Sequence, residues 1–152
     1  MVQPIDVATA RALLTVARMV HAEVERAGLV IDDVPELAFA TVARWCEGDA
    51  TAVEVQAARA ETAIGRPHYE GSRDHRKAVQ LYRALAYYLT AYAGGAQGVK
   101  RRFAEEQVLA MAWMFLRRLG EPEEAAKARV EAVYAAAMVE AEEVTALRDD
   151  GG

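Results

Sequence analysis

The sequence predicts an all-α protein of about six antiparallel helices, packed as a single bundle or a short helical array. Its apolar residues recur at intervals of three and four, which places them on one face of a helix with 3.6 residues per turn. The two clearest runs are Ala78, Leu81, Leu85, Leu89, Tyr92 and Val108, Met111, Ala112, Phe115, Leu119. No segment shows the period-two alternation of a half-buried strand. With 152 residues, 53% of them hydrophobic, the chain is long enough to bury a core without disulfides.

Capping residues predict where the first two helices begin. Helix one is expected from about Val7 to Ala27, with Asp6 as its N-cap and Gly28 as its stop. Helix two is expected to begin at Asp33, because Asp33 and Glu36 have the spacing of a capping box. Its inward face should consist of Leu37, Val42, Trp45 and Cys46.

Helices three and four have clear start signals. Thr51 and Glu54 repeat the capping-box spacing, and Gly65 should end helix three. Helix four should open near Ser72 and continue to Ala93, where a pair of glycines follows. Tyrosines occur on more than one face of helix four, so at least one should be exposed and could form an interface. They are Tyr82, Tyr87, Tyr88 and Tyr92.

The last two helices complete the predicted domain. Helix five is expected over about Val99 to Leu119, and helix six from Pro122 to roughly Leu147. We therefore expect a single helical domain over 1–148 and a flexible acidic tail over 149–152.

The net charge of −5 is distributed unevenly along the chain. Residues 1–65 carry −5, residues 66–118 carry +6, and residues 119–152 carry −6. If helices five and six fold back on each other, the basic residues 100–102 should lie beside the acidic residues 140–143. Arg117 and Arg118 should then meet the acidic residues that open helix six. An acidic chain with one basic segment disfavours general nucleic-acid binding.

The composition excludes several other classes. The single cysteine, Cys46, rules out an internal disulfide and fits a cytoplasmic protein, where we expect it to be an inert core thiol. The N-terminal residues lack the pattern of a signal peptide, and the strongest apolar run, 108–115, is too short to span a membrane. His21 lies in mid-helix with no evident carboxylate partner, so we expect a surface or boundary histidine. No catalytic residue, metal site or cofactor is predicted.

One polar loop, residues 66–77, contains side chains that could form a functional site. Its histidines and carboxylates match no metal motif, so the sequence predicts no metal site there. Free N–H groups at the start of helix four, together with nearby cations, instead suggest an anion- or partner-binding site. The candidate residues are Arg66, His68, Ser72, Arg73, His75, Arg76 and Lys77.

Residues 13–63 resemble the Imm-5-like immunity proteins of bacterial toxin systems. The resemblance lies in a helix, Trp45, Gly48 and Thr51, and a second helix containing Glu54. It implies a cytoplasmic bacterial protein that neutralises a toxin by tight binding, with an acidic surface on helices one to three steering it towards a basic partner.

The sequence therefore predicts a non-enzymatic protein-binding domain, with an immunity-type inhibitor of a toxin as one form. A helical scaffold or self-associating adaptor is an alternative, because residues 116–126 resemble the turn of a tetratricopeptide-type hairpin. A small anion- or metal-binding protein centred on residues 68–77 is a third hypothesis. A protein partner is expected, a homo-oligomer is compatible with the sequence, and no membrane partner is expected.

Overall fold

A computed structural model describes residues 3–29, 31–63, 72–95 and 100–151, with side chains up to 147. These ranges contain six helices and no strand, which confirms the all-α prediction. The helices are α1 Pro4–Arg26, α2 Val34–Cys46, α3 Ala52–Ala63, α4 Arg73–Gly94, α5 Arg101–Arg118 and α6 Glu123–Gly151. No helix in the described ranges is long and apolar enough to cross a membrane.

Two of the predicted helix starts are confirmed in atomic detail. At the start of α3, the Thr51 hydroxyl accepts a bond from the Glu54 amide (3.2 Å), and the Glu54 carboxylate accepts one from the Thr51 amide (2.7 Å). At the start of α4, the Ser72 hydroxyl accepts a bond from the His75 amide (3.1 Å). Gly95 ends α4 with φ +60°, a left-handed conformation that glycine adopts without a steric penalty.

The N-cap prediction for α1 was wrong, and the prediction for α2 is confirmed in its position but not in its capping bonds. Helix α1 begins earlier, with Gln3 as N-cap and Pro4 in the first turn, so Asp6 is the third helical residue and accepts a bond from the Gln3 amide (3.0 Å). Asp33 occupies the N-cap of α2, but its side chain makes no capping bond there. Asp32 accepts a bond from the Val34 amide instead (3.1 Å). Because the predicted capping box does not form, the Glu36 side chain can contact another helix.

Side chains from all six helices form one core cluster. Helix α4 packs against α5, α3, α2 and α1, while α6 packs mainly on α1 and less on α5. Fully buried side chains include Leu13, Val42, Leu85, Val108 and Phe115. Each such burial contributes about 1.5–3 kcal/mol relative to an exposed side chain.

The inward face of α2 differs from the prediction at one position. Val42 and Cys46 are buried and Trp45 is half-buried, whereas Leu37 is 58% exposed. Phe39 is buried and packs edge-on against Tyr82 of α4, with 5.7 Å between ring centroids. The face that α2 buries is set by the position of α4, which the spacing of apolar residues does not reveal.

None of the described tyrosines of α4 is fully exposed, contrary to the sequence prediction. Tyr82 and Tyr92 are buried, and Tyr87 and Tyr88 are half-buried. Helices α3 and α5 flank α4, so Tyr87 lies beneath Arg59 and Tyr88 packs against Phe103. Tyr87 and Tyr88 therefore keep only part of their surface accessible, and the hypothesis that the tyrosines form an interface stays a prediction.

The basic first turn of α5 is neutralised by α1 and α4 rather than by α6. Arg101 donates to the Asp6 carboxylate (3.4 Å) and to the Tyr92 carbonyl near the end of α4 (3.0 Å). Arg102 pairs with Glu106 of its own helix (3.4 Å). The predicted contact with residues 140–143 is therefore wrong, because α6 lies along α1.

Contacts at the other end of α5 agree in part with the prediction. Arg117 lies 3.7 Å from Glu123, as expected, whereas Arg118 donates to Asp74 of α4 (3.2 Å). Helix α6 continues to Gly151, past its predicted end near Leu147. The flexibility of the tail over 149–152 stays a prediction.

A buried carboxylate joins α1 to α6. Glu23 is 7% exposed and accepts a hydrogen bond from Arg129 (2.7 Å) and a second from Arg26. Arg129 also donates to Glu121. Burial alone would raise the pKa of Glu23, but the hydrogen bonds and positive charges of Arg129 and Arg26 outweigh it and lower the pKa.

Candidate functional site

Three potential ligand side chains converge where α1 meets α2. His21 and Glu25 lie one turn apart on α1, and Glu36 lies in the first turn of α2. The imidazole Nε2 is 2.8 Å from a Glu36 oxygen and 3.1 Å from a Glu25 oxygen. One ligand atom from each residue lies within 4.8 Å of the other two. We refer to His21, Glu25 and Glu36 as the α1–α2 cluster.

The imidazole of the α1–α2 cluster is held in place from the core side by Tyr82 of α4. The Tyr82 hydroxyl lies 2.7 Å from His21 Nδ1. Its ring is 1% exposed and packs between Phe39 and Phe115, at centroid distances of 5.7 and 6.2 Å. Burial, and then the charges of Glu36 and Glu25, raise the pKa of Tyr82, so the phenol keeps its proton at neutral pH.

The surroundings of the α1–α2 cluster are acidic. The cluster opens into a surface cavity of about 240 Å³ that Asp32 and Asp33 also line. The described residues that line this cavity include four carboxylates and no lysine or arginine. Arg83, which is buried beneath the surface, contacts both oxygens of Asp32 at 3.0 Å. Among the described residues of this lining, no guanidinium or ammonium group offsets the charges of Glu25 and Glu36.

Sequence reasoning missed the α1–α2 cluster, although half of it was visible. Glu25 follows His21 by four residues, a spacing that places the two side chains together on a helix. The prediction that His21 had no carboxylate partner was therefore wrong, while its half-buried position at the boundary is confirmed. Glu36 was interpreted as a capping residue, and only the packing of α2 on α1 brings it to the imidazole.

The structure describes most of the predicted anion-binding residues. Ser72 caps α4 with its hydroxyl, and Arg73, Arg76 and Lys77 line a surface depression of about 280 Å³ with Gln80. Asp74, in the same turn, pairs with Arg118 of α5. Arg66 and His68 lie outside the described residues. The anion-binding hypothesis for this segment, including His75, stays a prediction.

A cleft of about 360 Å³ separates the end of α2 from α1 and α6. Two of the arginines that line it already make hydrogen bonds within the chain. Arg11 donates to Glu47 (2.9 Å) and to the Cys46 carbonyl (3.0 Å). Arg44 donates to the Asp49 carbonyl (3.0 Å). Cys46 lies at the edge of the cleft, where burial, as the main cause, raises the pKa of its thiol to about 11. A neutral thiol is a poor nucleophile, so the cleft has no activated cysteine.

The second notable surface is the side of α6 that points away from α1. Its centre is a row of exposed small and apolar side chains at intervals of three, four and seven residues, which we call the outer stripe. The outer stripe consists of Ala125, Ala128, Ala132, Ala135, Val139 and Ala146. Along one side of it run the exposed carboxylates of Glu124, Glu131 and Glu142, which we call the acidic edge.

An apolar outer face is unusual for a helix that already buries its opposite side. Helix α6 packs Ala126, Val130 and Ala137 into the core, and a helix with one buried face normally carries charged and polar residues on the other. The two cations in the first half of α6 are used elsewhere: Arg129 binds Glu23 and Glu121, and Lys127 lies 4.7 Å above the Trp113 ring. The outer face of α6 is therefore apolar at its centre, with exposed carboxylates on both sides: the acidic edge on one, and Glu140 and Glu143 on the other.

No protein-family model, curated protein or solved structure matches this chain.

Proposed function

We propose that the chain is a non-enzymatic protein-binding domain that recognises a basic partner through the outer face of α6. The observation that carries the proposal is the outer stripe, an apolar row that spans most of a 29-residue helix on the side facing solvent. Repetition of apolar residues at three and four positions is typical of a helix that packs against another helix. Small side chains allow the backbones of two helices to approach closely.

The charge beside the outer stripe favours a basic partner. Carboxylates of the acidic edge would lie at the rim of an interface formed by the stripe, where opposite charges on the partner accelerate association and fix its orientation. In an antiparallel pair of two copies of α6, the acidic edges would face each other. This repulsion favours a different protein over a second copy of the chain.

Within this class we propose an immunity-type inhibitor of a bacterial toxin that acts in the cytoplasm. The resemblance of residues 13–63 to Imm-5-like immunity proteins supports this form of the proposal. The acidic residues around the α1–α2 cluster and the acidic edge of α6 would both attract a basic toxin.

Co-expression with the product of the adjacent gene, in a bacterial host, tests the proposal. We expect the chain to restore growth when that product is toxic, and to copurify with it. Ala132→Lys should weaken the complex at least tenfold, about 1.4 kcal/mol, because it places a cation within the apolar stripe of the binding surface. Lysine is a good helix former, so α6 should stay folded.

Ala60→Lys is the matched control. Ala60 is an exposed alanine of α3, and α3 makes no substantial contact with α6 within the described residues. Equal binding by the parent chain and both variants would contradict the proposed surface. A catalytic turnover that degrades or modifies the partner would contradict a purely binding function.

A further inference from the structure

The α1–α2 cluster combines three side chains in an arrangement that suits a metal ion better than it suits the side chains alone. Two carboxylates lie within hydrogen-bonding distance of the same imidazole nitrogen, His21 Nε2. A neutral imidazole offers at most one proton there, so two negative charges share one donor. No lysine or arginine is present among the described residues lining the cavity to offset them.

The Tyr82 hydroxyl provides the support that a metal-binding histidine usually has. Such histidines commonly donate their second ring N–H to a neighbouring acceptor, which fixes the tautomer and the ring orientation. At 2.7 Å from Nδ1, the Tyr82 oxygen can accept that proton. In that tautomer the Nε2 lone pair points towards Glu25 and Glu36, so that a cation between the three groups can accept electron pairs from all of them.

The distances within the cluster fit a small divalent ion. Two ligands that are each about 2.0–2.2 Å from zinc are about 3.3 Å apart at the tetrahedral angle. His21 Nε2 lies 2.8 Å from Glu36 and 3.1 Å from Glu25, a few tenths of an ångström short of that separation, and the ligand oxygens of the two carboxylates lie within 4.8 Å of each other. Both carboxylates are largely exposed, with side chains 70% and 55% accessible, and can make shifts of this size freely.

We propose that His21, Glu25 and Glu36 bind one divalent transition-metal ion of the zinc type. The imidazole selects for zinc and its neighbours in the periodic table over calcium and magnesium, which prefer oxygen ligands alone. Three protein ligands leave a fourth position to water or to a group from a partner. Because Glu36 is on α2 and the other two ligands are on α1, the ion would link the two helices.

The purified full chain can be titrated with Zn²⁺ by calorimetry after treatment with a chelator. We expect one ion per chain and a rise in the melting temperature with added zinc, because the ion binds the folded form. Mg²⁺ and Ca²⁺ should bind at least tenfold more weakly. Co²⁺ in place of zinc should give a visible absorption spectrum typical of four- or five-coordination.

Variants of the cluster separate metal binding from general surface effects. Glu25→Gln and His21→Gln should each weaken zinc binding at least tenfold, and both positions are accessible enough for the fold to survive. Tyr82→Phe removes the hydroxyl but keeps the buried ring, and should weaken binding about 10- to 100-fold through the orientation of His21. His75→Gln and Glu61→Gln, which lie on α4 and α3, are the matched controls and should bind zinc as the parent does.

Several results would overturn the proposal. These are the absence of stoichiometric zinc binding by the parent chain, equal affinity for Mg²⁺ and Zn²⁺, or unchanged zinc affinity in His21→Gln. Weakening of zinc binding in His75→Gln but not in Glu25→Gln would move the ion to another part of the chain. None of these outcomes bears on the outer stripe of α6, so this proposal and the proposed function can fail separately.

Discussion

Glu23 shows how a single charged residue can be accommodated inside this bundle. Its carboxylate is nearly inaccessible to water, and burying it without partners would cost several kcal/mol. Arg129 and Arg26 offset that cost with charge-assisted hydrogen bonds. The sequence offered little sign of this contact, because Glu23 and Arg129 are separated by more than a hundred residues.

Replacing Glu23 with glutamine should lower the free energy of unfolding by about 1–3 kcal/mol at pH 7. The substitution keeps the shape but removes the charge that Arg129 and Arg26 bind, and hydrogen bonds to charged groups are worth roughly this much. Urea unfolding followed by circular dichroism measures the change. Glu143→Gln, an exposed position on α6, is the control and should change stability by less than about 0.5 kcal/mol.

The same carboxylate should make stability depend on pH in acid. Because the pKa of Glu23 is lowered in the folded protein, its contribution is fully present above the ordinary value of 4.5. It is lost as the pH falls through the folded-state pKa. The stability difference between the parent and Glu23→Gln should therefore shrink below pH 4.5. A difference that stays constant between pH 7 and pH 3 would contradict the assigned ion pairs.

Cys46 should react slowly with thiol reagents while the chain is folded. With a pKa of about 11, only about one thiol in a thousand is ionised at pH 8, against about one in ten at the ordinary value of 9. Ionisation alone therefore slows the reaction about 100-fold, and burial slows it further. The rate of reaction with Ellman's reagent at pH 8 can be measured for the folded chain and for the chain unfolded in about 6 M urea. The ratio of the two rates gives the protection of Cys46. Equal rates would show that Cys46 is exposed in solution.

At the scale of the helix, the starts of α3 and α4 were predictable and the inward face of α2 was not. Thr51 and Ser72 cap their helices through contacts three residues away, and such local signals are legible in the sequence. Leu37 was assigned to the core from spacing alone. Which stripe of a short helix is buried depends on its neighbours, and these are fixed only by tertiary packing.

Ser72→Ala should destabilise the protein by about 0.5–2 kcal/mol, because the His75 amide loses its side-chain acceptor. Ser72→Gly should cost only a few tenths of a kcal/mol in comparison, since glycine is tolerated at an N-cap. Thermal and urea unfolding of the two variants would compare them. If Ser72→Ala left the free energy of unfolding unchanged, α4 would begin elsewhere, and the hydroxyl would be available for the predicted anion site.

At the scale of the whole molecule, the fold class could be predicted from the sequence, but the neighbours of each helix could not. Periodicity predicted six helices because each one buries a stripe. The sequence prediction assumed that α6 returns along α5, whereas α6 lies chiefly along α1. That one difference explains why Arg101 pairs with Asp6 of α1 and not with the predicted acidic residues of α6. The α1–α2 cluster likewise depends on how two helices pack, so only its His21–Glu25 half could be found beforehand.

The most direct test of the binding function is site-specific photo-cross-linking along α6. A photoreactive residue at position 128, 132 or 135 should give a cross-link to one partner protein in cells. The same residue at positions 60 or 130, on α3 and on the buried side of α6, should give no cross-link to that protein. Partner cross-links that follow the outer stripe would support the account. Cross-links that ignore the helical repeat, or that join only copies of the chain itself, would contradict it.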